Sequence, residues 1–253
     1  MILNAFDLKG KVAIVTGCDT GLGQGMALGL AEAGCDIVGI NIVEPTDTIA
    51  KVEALGRQFL SLKADVSKVD TLPALVDQAV SRFGRVDILV NNAGIIRRED
   101  AINFSEKDWD DVMNINIKSV FFMSQAVARQ FMAQGRGGKI VNIASMLSYQ
   151  GGIRVPSYTA SKSGVMGITR LLANEWASQG INVNAIAPGY MATNNTTALR
   201  ADEDRNAAIL ERIPAGRWGL PDDMMGPVVF LASAASDYIN GYTIAVDGGW
   251  LAR

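Results

Sequence analysis

Tyr158 and Lys162 are the residues whose types and spacing best suit proton-transfer chemistry. They are four residues apart, and Pro156 predicts the start of a helix that places both on one face. A free tyrosine has a pKa of about 10 and is a poor base near neutral pH. A nearby ammonium group would favour the phenolate and lower that pKa. Ser145, at the end of a predicted strand, could hydrogen-bond a substrate oxygen as charge develops on it.

The absence of histidine restricts the possible chemistry further. It excludes Ser-His-Asp hydrolysis and histidine-ligated zinc, so proton transfer must use Tyr, Lys, Asp, Glu or Cys. Cys18 and Cys35 are too few for a disulfide framework or a thiolate cluster, and we expect them to be small buried residues. We therefore expect no metal in the site.

A glycine-rich stretch, TGCDTGLGQG from Thr16, follows the first predicted strand and opens a helix. Glycine permits a tight turn and a close approach of phosphate to the backbone. The first N–H groups of a helix and its positive end attract an anion. The position of this stretch between strand and helix favours nucleotide binding over simple packing.

Seven strand-like runs alternate with helical patterns along the chain. Near-continuous apolar runs rich in Val and Ile are typical of a parallel sheet that is covered on both faces. We therefore predict an α/β fold, a Rossmann-like doubly wound parallel sheet of about seven strands, in a single domain over residues 1–253. The runs are KVAIVT from Lys11, DIVGINI from Asp36, QFLSLKA from Gln58, VDILVNN from Val86, KIVNIAS from Lys139, INVNAIA from Ile181 and YTIAVDG from Tyr242.

Residues 188–221 interrupt this alternation with a long polar stretch after the sixth strand. Ligands bind beyond the carboxyl ends of strands in open α/β sheets, so we predict that this lid segment covers a substrate. Ordinary surface helices are the alternative.

Composition excludes some partners. The formal net charge of −3 argues against general nucleic-acid binding, which needs a concentrated basic surface. No apolar run reaches the roughly 18–20 residues of a membrane helix, so we expect no membrane partner. The N-terminal segment lacks the features of a secretory signal, and a cytoplasmic location is expected.

These motifs together resemble the short-chain dehydrogenase/reductase family. The resemblance extends from end to end in the family's order and usual spacing. Its motifs are TGCDTGLG, NNAG at Asn91–Gly94, Asn116 in MNINIKS, Ser145 in NIASM, Tyr158 and Lys162 in YTASK, and PG at Pro188–Gly189. It implies an enzyme that moves hydride between a nicotinamide cofactor and a carbonyl or alcohol.

The resemblance also implies a role for individual residues. Tyr158 would exchange a proton with the substrate, Ser145 would orient the carbonyl, and Lys162 would bind the nicotinamide ribose and tune Tyr158. Asn116 would hold a water that links Lys162 to solvent. Asp65 and Thr193 could instead be a loop residue and a helix cap. The implied cofactor contacts are Gly17, Thr20, Gly21, Leu22, Gly23, Asn41, Asp65, Val66, Asn92, Ala93, Gly94, Tyr158, Lys162, Pro188, Gly189 and Thr193.

Asn41 bears on the choice between NAD and NADP. Relatives that use NAD commonly have Asp at this end of the second strand, but Asn can also hydrogen-bond a ribose. Ile42, Val43 and Glu44 offer no cation for a 2′-phosphate, and Glu44 would repel one. We therefore expect NAD rather than NADP.

The substrate is less well defined by the sequence. Three arginines near the predicted rim, Arg97, Arg98 and Arg154, could bind a carboxylate, although each alone could be a surface charge. The resemblance is strongest to bacterial sugar-acid enzymes of the family, which implies a small anionic sugar acid and a homotetramer. A gluconate 5-dehydrogenase, a 3-oxoacyl-carrier-protein reductase and a nucleotide sensor without turnover are the alternatives. Our predicted substrate contacts are Ser145, Arg154, Tyr158, Gln150, Tyr190 and Arg97; Met146, Met191, Asn194 and Asn195 are further candidates.

Overall fold

A sheet of seven parallel strands forms the centre of the molecule, which the structure, a computed structural model, describes over residues 1–253. The order across the sheet is β3-β2-β1-β4-β5-β6-β7, and every neighbouring pair is parallel. Each strand overlaps a run that predicted it, so the predicted fold is confirmed. The strands are β1 (Val12–Thr16), β2 (Asp36–Asn41), β3 (Phe59–Lys63), β4 (Ile88–Asn91), β5 (Gly138–Ile143), β6 (Ile181–Pro188) and β7 (Thr243–Val246).

Helices cover both faces of the sheet. One apolar core joins the sheet to α3, α5 and α6, and a second joins it to α1, α2 and α9. No helix is both long enough and apolar enough to cross a membrane. The helices are α1 (Gly21–Glu32), α2 (Thr46–Ala54), α3 (Leu72–Phe83), α4 (Glu106–Met113), α5 (Ser119–Gln134), α6 (Pro156–Trp176), α7 (Thr197–Ala201), α8 (Glu203–Arg212) and α9 (Met225–Ala232).

The strand order reverses at β1, which lies between β2 and β4. The chain fills one half of the sheet with β1 to β3 and then crosses to fill the other half from β4. At such a switch point the connections leave in opposite directions and open a crevice beyond the carboxyl ends of the strands. The fold therefore places a ligand site next to the turn that follows β1.

The lid segment contains α7, α8 and a short 3-10 helix at Asn194–Thr196. Its two ends are joined, because Met191 and Gly219 form a parallel β-bridge. No residue of α7 is buried, and Ile209 is the one buried residue of α8. A role in covering a substrate stays a prediction.

Candidate active site

The turn after β1 has the backbone shape that the glycine-rich stretch predicted. Gly17 and Gly21 have φ angles of 65° and 58°, in the left-handed region that favours glycine. A methyl group on Gly23 would overlap the Gly17 carbonyl oxygen and the Asn92 amide nitrogen. The Asn92 amide donates to the carbonyls of Thr16 at 3.0 Å and of Gly17 at 2.7 Å. Asn92 therefore fixes the turn from the end of β4.

This turn fits a dinucleotide. Helix α1 begins at Gly21, and the first N–H groups of a helix have no partner within it, so they can bind a pyrophosphate. Thr193 lies over the turn, since a methyl group on Gly21 would be 3.5 Å from Thr193 Cγ2. Asp65 follows β3 and Pro188 ends β6 at the same edge of the sheet. These residues could hold a nicotinamide nucleotide, and their individual contacts stay predictions.

Asn41 has a structural role in the same turn. It is buried, and its Oδ1 accepts a hydrogen bond of 2.7 Å from the Cys18 backbone N–H. Thr48 at the start of α2 donates to the Cys18 carbonyl at 2.7 Å. Burial raises the pKa of the Cys18 thiol to about 12, so Cys18 is a packing residue and not a nucleophile. The expected bond from Asn41 to a ribose stays a prediction.

The charges near Asn41 come from the segment that follows β2 and from the neighbouring strand β3. Ile42 and Val43 are exposed, and Glu44 accepts a hydrogen bond of 2.9 Å from Ser61 on β3. Lys63, also on β3, is exposed and lies in register with Asn41. The residues that follow Asn41 supply no cation, but the neighbouring strand does. Lys63 could have been identified from the sequence only if the register of β3 against β2 had been known.

Lys162 lies within the fold beside Tyr158. Helix α6 begins at Pro156, as predicted, and Lys162 Nζ is 5.7 Å from the centre of the Tyr158 ring. The Lys162 ammonium is buried and donates a hydrogen bond of 2.6 Å to the Ile143 carbonyl at the end of β5. Burial lowers the pKa of Lys162 to about 8.

Ser145 is fixed by the residues that follow it. Its hydroxyl accepts a hydrogen bond of 3.1 Å from the Leu147 N–H. The Ser148 hydroxyl accepts from the Ser145 N–H at 3.2 Å and donates to the Lys162 carbonyl at 2.6 Å. The loop that carries Ser145 is therefore tied to the helix that carries Tyr158 and Lys162.

The pKa of Tyr158 reflects opposing effects. Burial raises it, while a hydrogen bond with Ser145 and the positive charge of Arg98 lower it. We expected Lys162 to lower this pKa. In the protein without cofactor, burial has the largest effect, and the pKa of Tyr158 is raised above its usual value. Ser145 is thus close enough to Tyr158 to act on its pKa, so one substrate oxygen could contact both hydroxyls.

Asn116 lies in a π-helical segment, Asn114–Lys118, between α4 and α5. Such segments are frequent at functional sites because they reorient a side chain. The buried Asn116 amide accepts from the Ile95 N–H at 2.8 Å and donates to the Ile95 carbonyl at 2.9 Å. A methyl group on Gly94 would lie 3.3 Å from Asn116 Oδ1 and 3.7 Å from Lys162 Nζ. Asn116 thus secures the loop after β4 next to α6. Its predicted role in holding a water that links Lys162 to solvent stays a prediction.

The three arginines of the predicted rim have different partners in the structure, and their contacts with a substrate stay predictions. Arg97 forms an ion pair with Asp108 at 3.4 Å, and Arg154 forms one with Asp100 at 3.1 Å. Arg98 instead lies near enough to Tyr158 for its charge to lower the tyrosine pKa. Arg98 is exposed and donates a hydrogen bond of 3.4 Å to the Asn195 carbonyl of the lid segment.

Gln150 and Tyr190 contact the C-terminal segment. The Gln150 amide oxygen accepts hydrogen bonds from Trp250 at 3.1 Å and from Arg212 at 3.3 Å. The Tyr190 ring packs edge-on against Trp250, with centroids 4.8 Å apart, and against Trp218 at 5.4 Å. No pattern in the sequence indicated that Trp218, Trp250 or Arg212 would lie here, and substrate contact by Gln150 or Tyr190 stays a prediction.

Comparison with known proteins agrees with this geometry. A family model described as Enoyl-(Acyl carrier protein) reductase matches residues 17–251. The chain is 81% identical over 253 residues to the 2-dehydro-3-deoxy-D-gluconate 5-dehydrogenase of Escherichia coli (strain K12), with 100% of both chains covered. It is 79% identical, with the same coverage, to the enzyme of that name from Dickeya dadantii (strain 3937).

A solved structure provides a second comparison. The protein from Agrobacterium tumefaciens, provisionally assigned as a 2-deoxy-d-gluconate 3-dehydrogenase and with bound NADP, is 56% identical. It superposes with a TM-score of 0.94 over 99% of this chain and 100% of its own.

The fold and the site together define an oxidoreductase that depends on a nicotinamide nucleotide. The chain belongs to the short-chain dehydrogenase/reductase family.

Proposed function

We propose that this enzyme reduces 2,5-didehydro-3-deoxy-D-gluconate to 2-dehydro-3-deoxy-D-gluconate with NADH, and catalyses the reverse oxidation, in the breakdown of pectin and uronates. The observation that carries the proposal is the 81% identity, over the whole chain, to a relative named for this sugar acid. Arg98 supports an anionic substrate, since it is the arginine whose charge acts on Tyr158.

The protein's own groups handle the proton in this reaction. When bound, the reduced nicotinamide supplies the hydride that reaches the C5 carbon of the ketone. The Tyr158 hydroxyl gives its proton to the ketone oxygen, and Ser145 donates a hydrogen bond to the same oxygen. The carbonyl becomes a hydroxyl, and Tyr158 is left as a phenolate. The oxidation runs through the same positions in reverse.

Lys162 and Asn116 prepare the site for this transfer. The low dielectric that lowers the pKa of Lys162 to about 8 also strengthens its attraction for a phenolate at Tyr158. Asn116 bonds to Ile95 and so fixes the position of the loop after β4, whose Gly94 lies next to Lys162. Both groups act on position and charge and do not bond to the reacting carbon.

NADH is the proposed cofactor. Neither Ile42 nor Val43 can pair with a 2′-phosphate, and Glu44 adds a negative charge near the end of β2. Lys63 opposes this preference, and the Agrobacterium relative binds NADP. We therefore expect NADH to be preferred and NADPH to be accepted less well.

The test follows the absorbance of NADH and of NADPH in separate reactions with 2,5-didehydro-3-deoxy-D-gluconate. A 5-keto-gluconate and an acetoacetyl thioester serve as comparison substrates. Rapid NADH oxidation with the deoxy diketo acid alone supports the proposal. Preference for the 5-keto-gluconate or the thioester replaces it with one of the alternative family reactions. NADH binding without turnover of any of the three counts against the proposed activity.

A homotetramer is the proposed assembly. Exposed apolar side chains on α5 and α6 line a groove that a second copy could cover, and Met132 and Leu171 are 41% and 47% exposed. Arg129 and Glu175 border the groove and could pair across a two-fold axis. Light scattering should give four times the mass of one chain, and Leu171→Asp should reduce it.

A further inference from the structure

We propose that Gln150 is a positioning residue that latches the lid helix α8 and the C-terminal turn to the loop carrying Ser145. This inference rests on the proposed function, because it takes residues 188–221 to cover the sugar acid. It gives Gln150 a role different from direct contact with the substrate.

One oxygen atom joins three segments that are far apart in the sequence. Gln150 follows the Ser145 loop, Arg212 lies in the last turn of α8, and Trp250 begins the C-terminal 3-10 turn. Gln150 Oε1 accepts from Arg212 Nη2 at 3.3 Å and from Trp250 Nε1 at 3.1 Å. The Arg212 guanidinium also lies 4.0 Å from the centre of a Trp250 ring. The three side chains therefore form a closed triangle.

The C-terminal turn also caps the lid helix. Arg253 donates to the backbone carbonyls of Arg212, at 3.2 Å, and of Glu211, at 2.6 Å. The last carbonyls of a helix lack partners within it, and a cation is favoured at that end. The C-terminal turn thus bonds to the backbone of α8. Gln150 bonds to one side chain of α8 and to one side chain of the C-terminal turn.

Apolar contacts join the same three segments: the lid, the C-terminal turn and the Ser145 loop. Ile209 of α8 and Ile213 pack in one small buried cluster with Trp250 and Met146. Met146 is the residue directly after Ser145, so the lid's buried contacts end next to the catalytic loop. α7 has no buried residue, so α8 is the lid helix that these contacts attach. The base of the lid is held separately by Met191, which is buried in the core with α1 and α9.

This arrangement predicts a specific division of effects. Loss of the latch frees α8, so the sugar acid must order the lid as it binds and its KM rises. The glycine-rich turn is fixed by Asn92 and Asn41, which make no contact with the latch. Thr193, the lid residue over this turn, lies at the base of the lid, which the Met191–Gly219 bridge holds without Gln150. NADH affinity should therefore be unaffected.

Two substitutions of Gln150 separate a latch from a substrate contact. Gln150→Met keeps the length of the side chain and removes the acceptor, whereas Gln150→Glu keeps the acceptor and pairs it with Arg212. If Gln150 contacted an anionic substrate, the new carboxylate would repel it, so Gln150→Glu would raise KM. If Gln150 is a latch, Gln150→Glu should behave like the wild type.

The experiment measures the lid directly by limited trypsin digestion of the full-length protein without substrate. Cleavage after Arg200 and Arg205, both in the lid segment, is followed by mass spectrometry. The loss of a hydrogen bond to a cation predicts cleavage of Gln150→Met about fivefold faster than that of the wild type. Gln78→Met is the matched control, because Gln78 is exposed and bonds only within its own helix.

Steady-state kinetics supply the second measurement. Gln150→Met should raise the KM for the sugar acid about fivefold, with kcat and the Kd of NADH unchanged. Trp250→Phe keeps an aromatic ring but loses the indole N–H, and it should also raise the KM, by a smaller factor. Wild-type cleavage rates in Gln150→Met, or a raised KM in Gln150→Glu, would overturn the proposal. Cleavage is measured without substrate. The cleavage rates therefore test the latch even if the protein does not turn over the proposed sugar acid.

Discussion

The Lys162 ammonium donates a hydrogen bond of 2.6 Å to the Ile143 carbonyl, the last carbonyl of β5. Ser145 follows Ile143 by two residues, and Tyr158 precedes Lys162 by one helical turn. This single contact therefore aligns the strand that delivers the serine with the helix that delivers the tyrosine and lysine. The catalytic geometry follows from packing of α6 against the sheet.

Tyr158→Phe tests the proton-transfer role. Removal of the hydroxyl should lower kcat by about 10²–10⁴-fold, the usual contribution of a positioned acid or base. The phenyl ring keeps the packing, so NADH should bind with unchanged affinity. Single-turnover kinetics and a fluorescence titration measure the two effects, and a near-normal rate would refute the assignment.

Lys162 predicts a pH dependence of stability in the protein without cofactor. Its pKa is lowered from 10.5 to about 8 by burial. Between these values the unfolded chain holds a proton that the folded chain has released, so the free energy of unfolding rises with pH. The wild type should gain about 1.5 kcal/mol relative to Lys162→Met between about pH 8 and about pH 9.5. Urea unfolding at several pH values measures this difference, and a flat difference contradicts the buried lysine.

Gly23→Ala should disrupt the cofactor turn. The added methyl group would overlap the Gly17 carbonyl and the Asn92 amide, so the turn must shift. NADH affinity should fall by at least about tenfold, since a displaced backbone loses its bonds to the pyrophosphate. Gly226→Ala, where no atom lies within 4 Å, is the control and should leave binding unchanged. Equal affinities in the two variants would be evidence against the turn as the phosphate site.

Arg98 and Arg97 should differ although they are adjacent. Arg98→Gln removes a charge that lowers the pKa of Tyr158, so the pH profile of oxidation should move to higher pH. The KM for the sugar acid should rise about tenfold through loss of a charged hydrogen bond. Arg97→Gln, whose guanidinium pairs with Asp108, should change neither quantity appreciably. Steady-state kinetics across the pH range compare the variants, and the reverse pattern would assign the substrate to Arg97.

Lys63 should affect NADP more than NAD. Lys63→Glu replaces the cation in register with Asn41 by an anion, which would repel a 2′-phosphate. The Kd of NADP should rise about tenfold while the Kd of NAD changes little. Lys68→Glu, also exposed but beyond the end of β3, is the charge-matched control. Titration by fluorescence quenching gives both constants, and equal effects on the two cofactors would remove Lys63 from 2′-phosphate recognition.

Local pattern was sufficient for the elements of this fold. Near-continuous apolar runs predicted all seven strands because both faces of a parallel sheet are buried. Pro156 predicted the start of α6, since proline suits the first position of a helix, and the spacing of Tyr158 and Lys162 placed them together. The left-handed glycines of the cofactor turn were also predictable, because few other residues adopt that conformation.

The direction of long polar side chains was not predictable in this way. The sequence did not distinguish the charges of Arg97, Arg98 and Arg154. In the structure, Arg97 pairs with Asp108 of α4, and Arg154 pairs with Asp100 in the loop after NNAG. The bond that Asn41 Oδ1 accepts from the Cys18 backbone N–H was likewise not apparent from the sequence. In each case the partner lies far away in sequence, and only packing brings it close.

The sequence by itself thus determined the order of the elements, the glycine turn and the residue types of the catalytic set. These depend on backbone preferences and on periodic burial, which act over a few neighbouring residues. Tertiary structure decided that the charge of Arg98 acts on Tyr158, that Lys63 lies in register with Asn41, and that Gln150 bonds to Arg212 and Trp250. Those contacts depend on how strands and helices are placed relative to one another, which no local preference specifies.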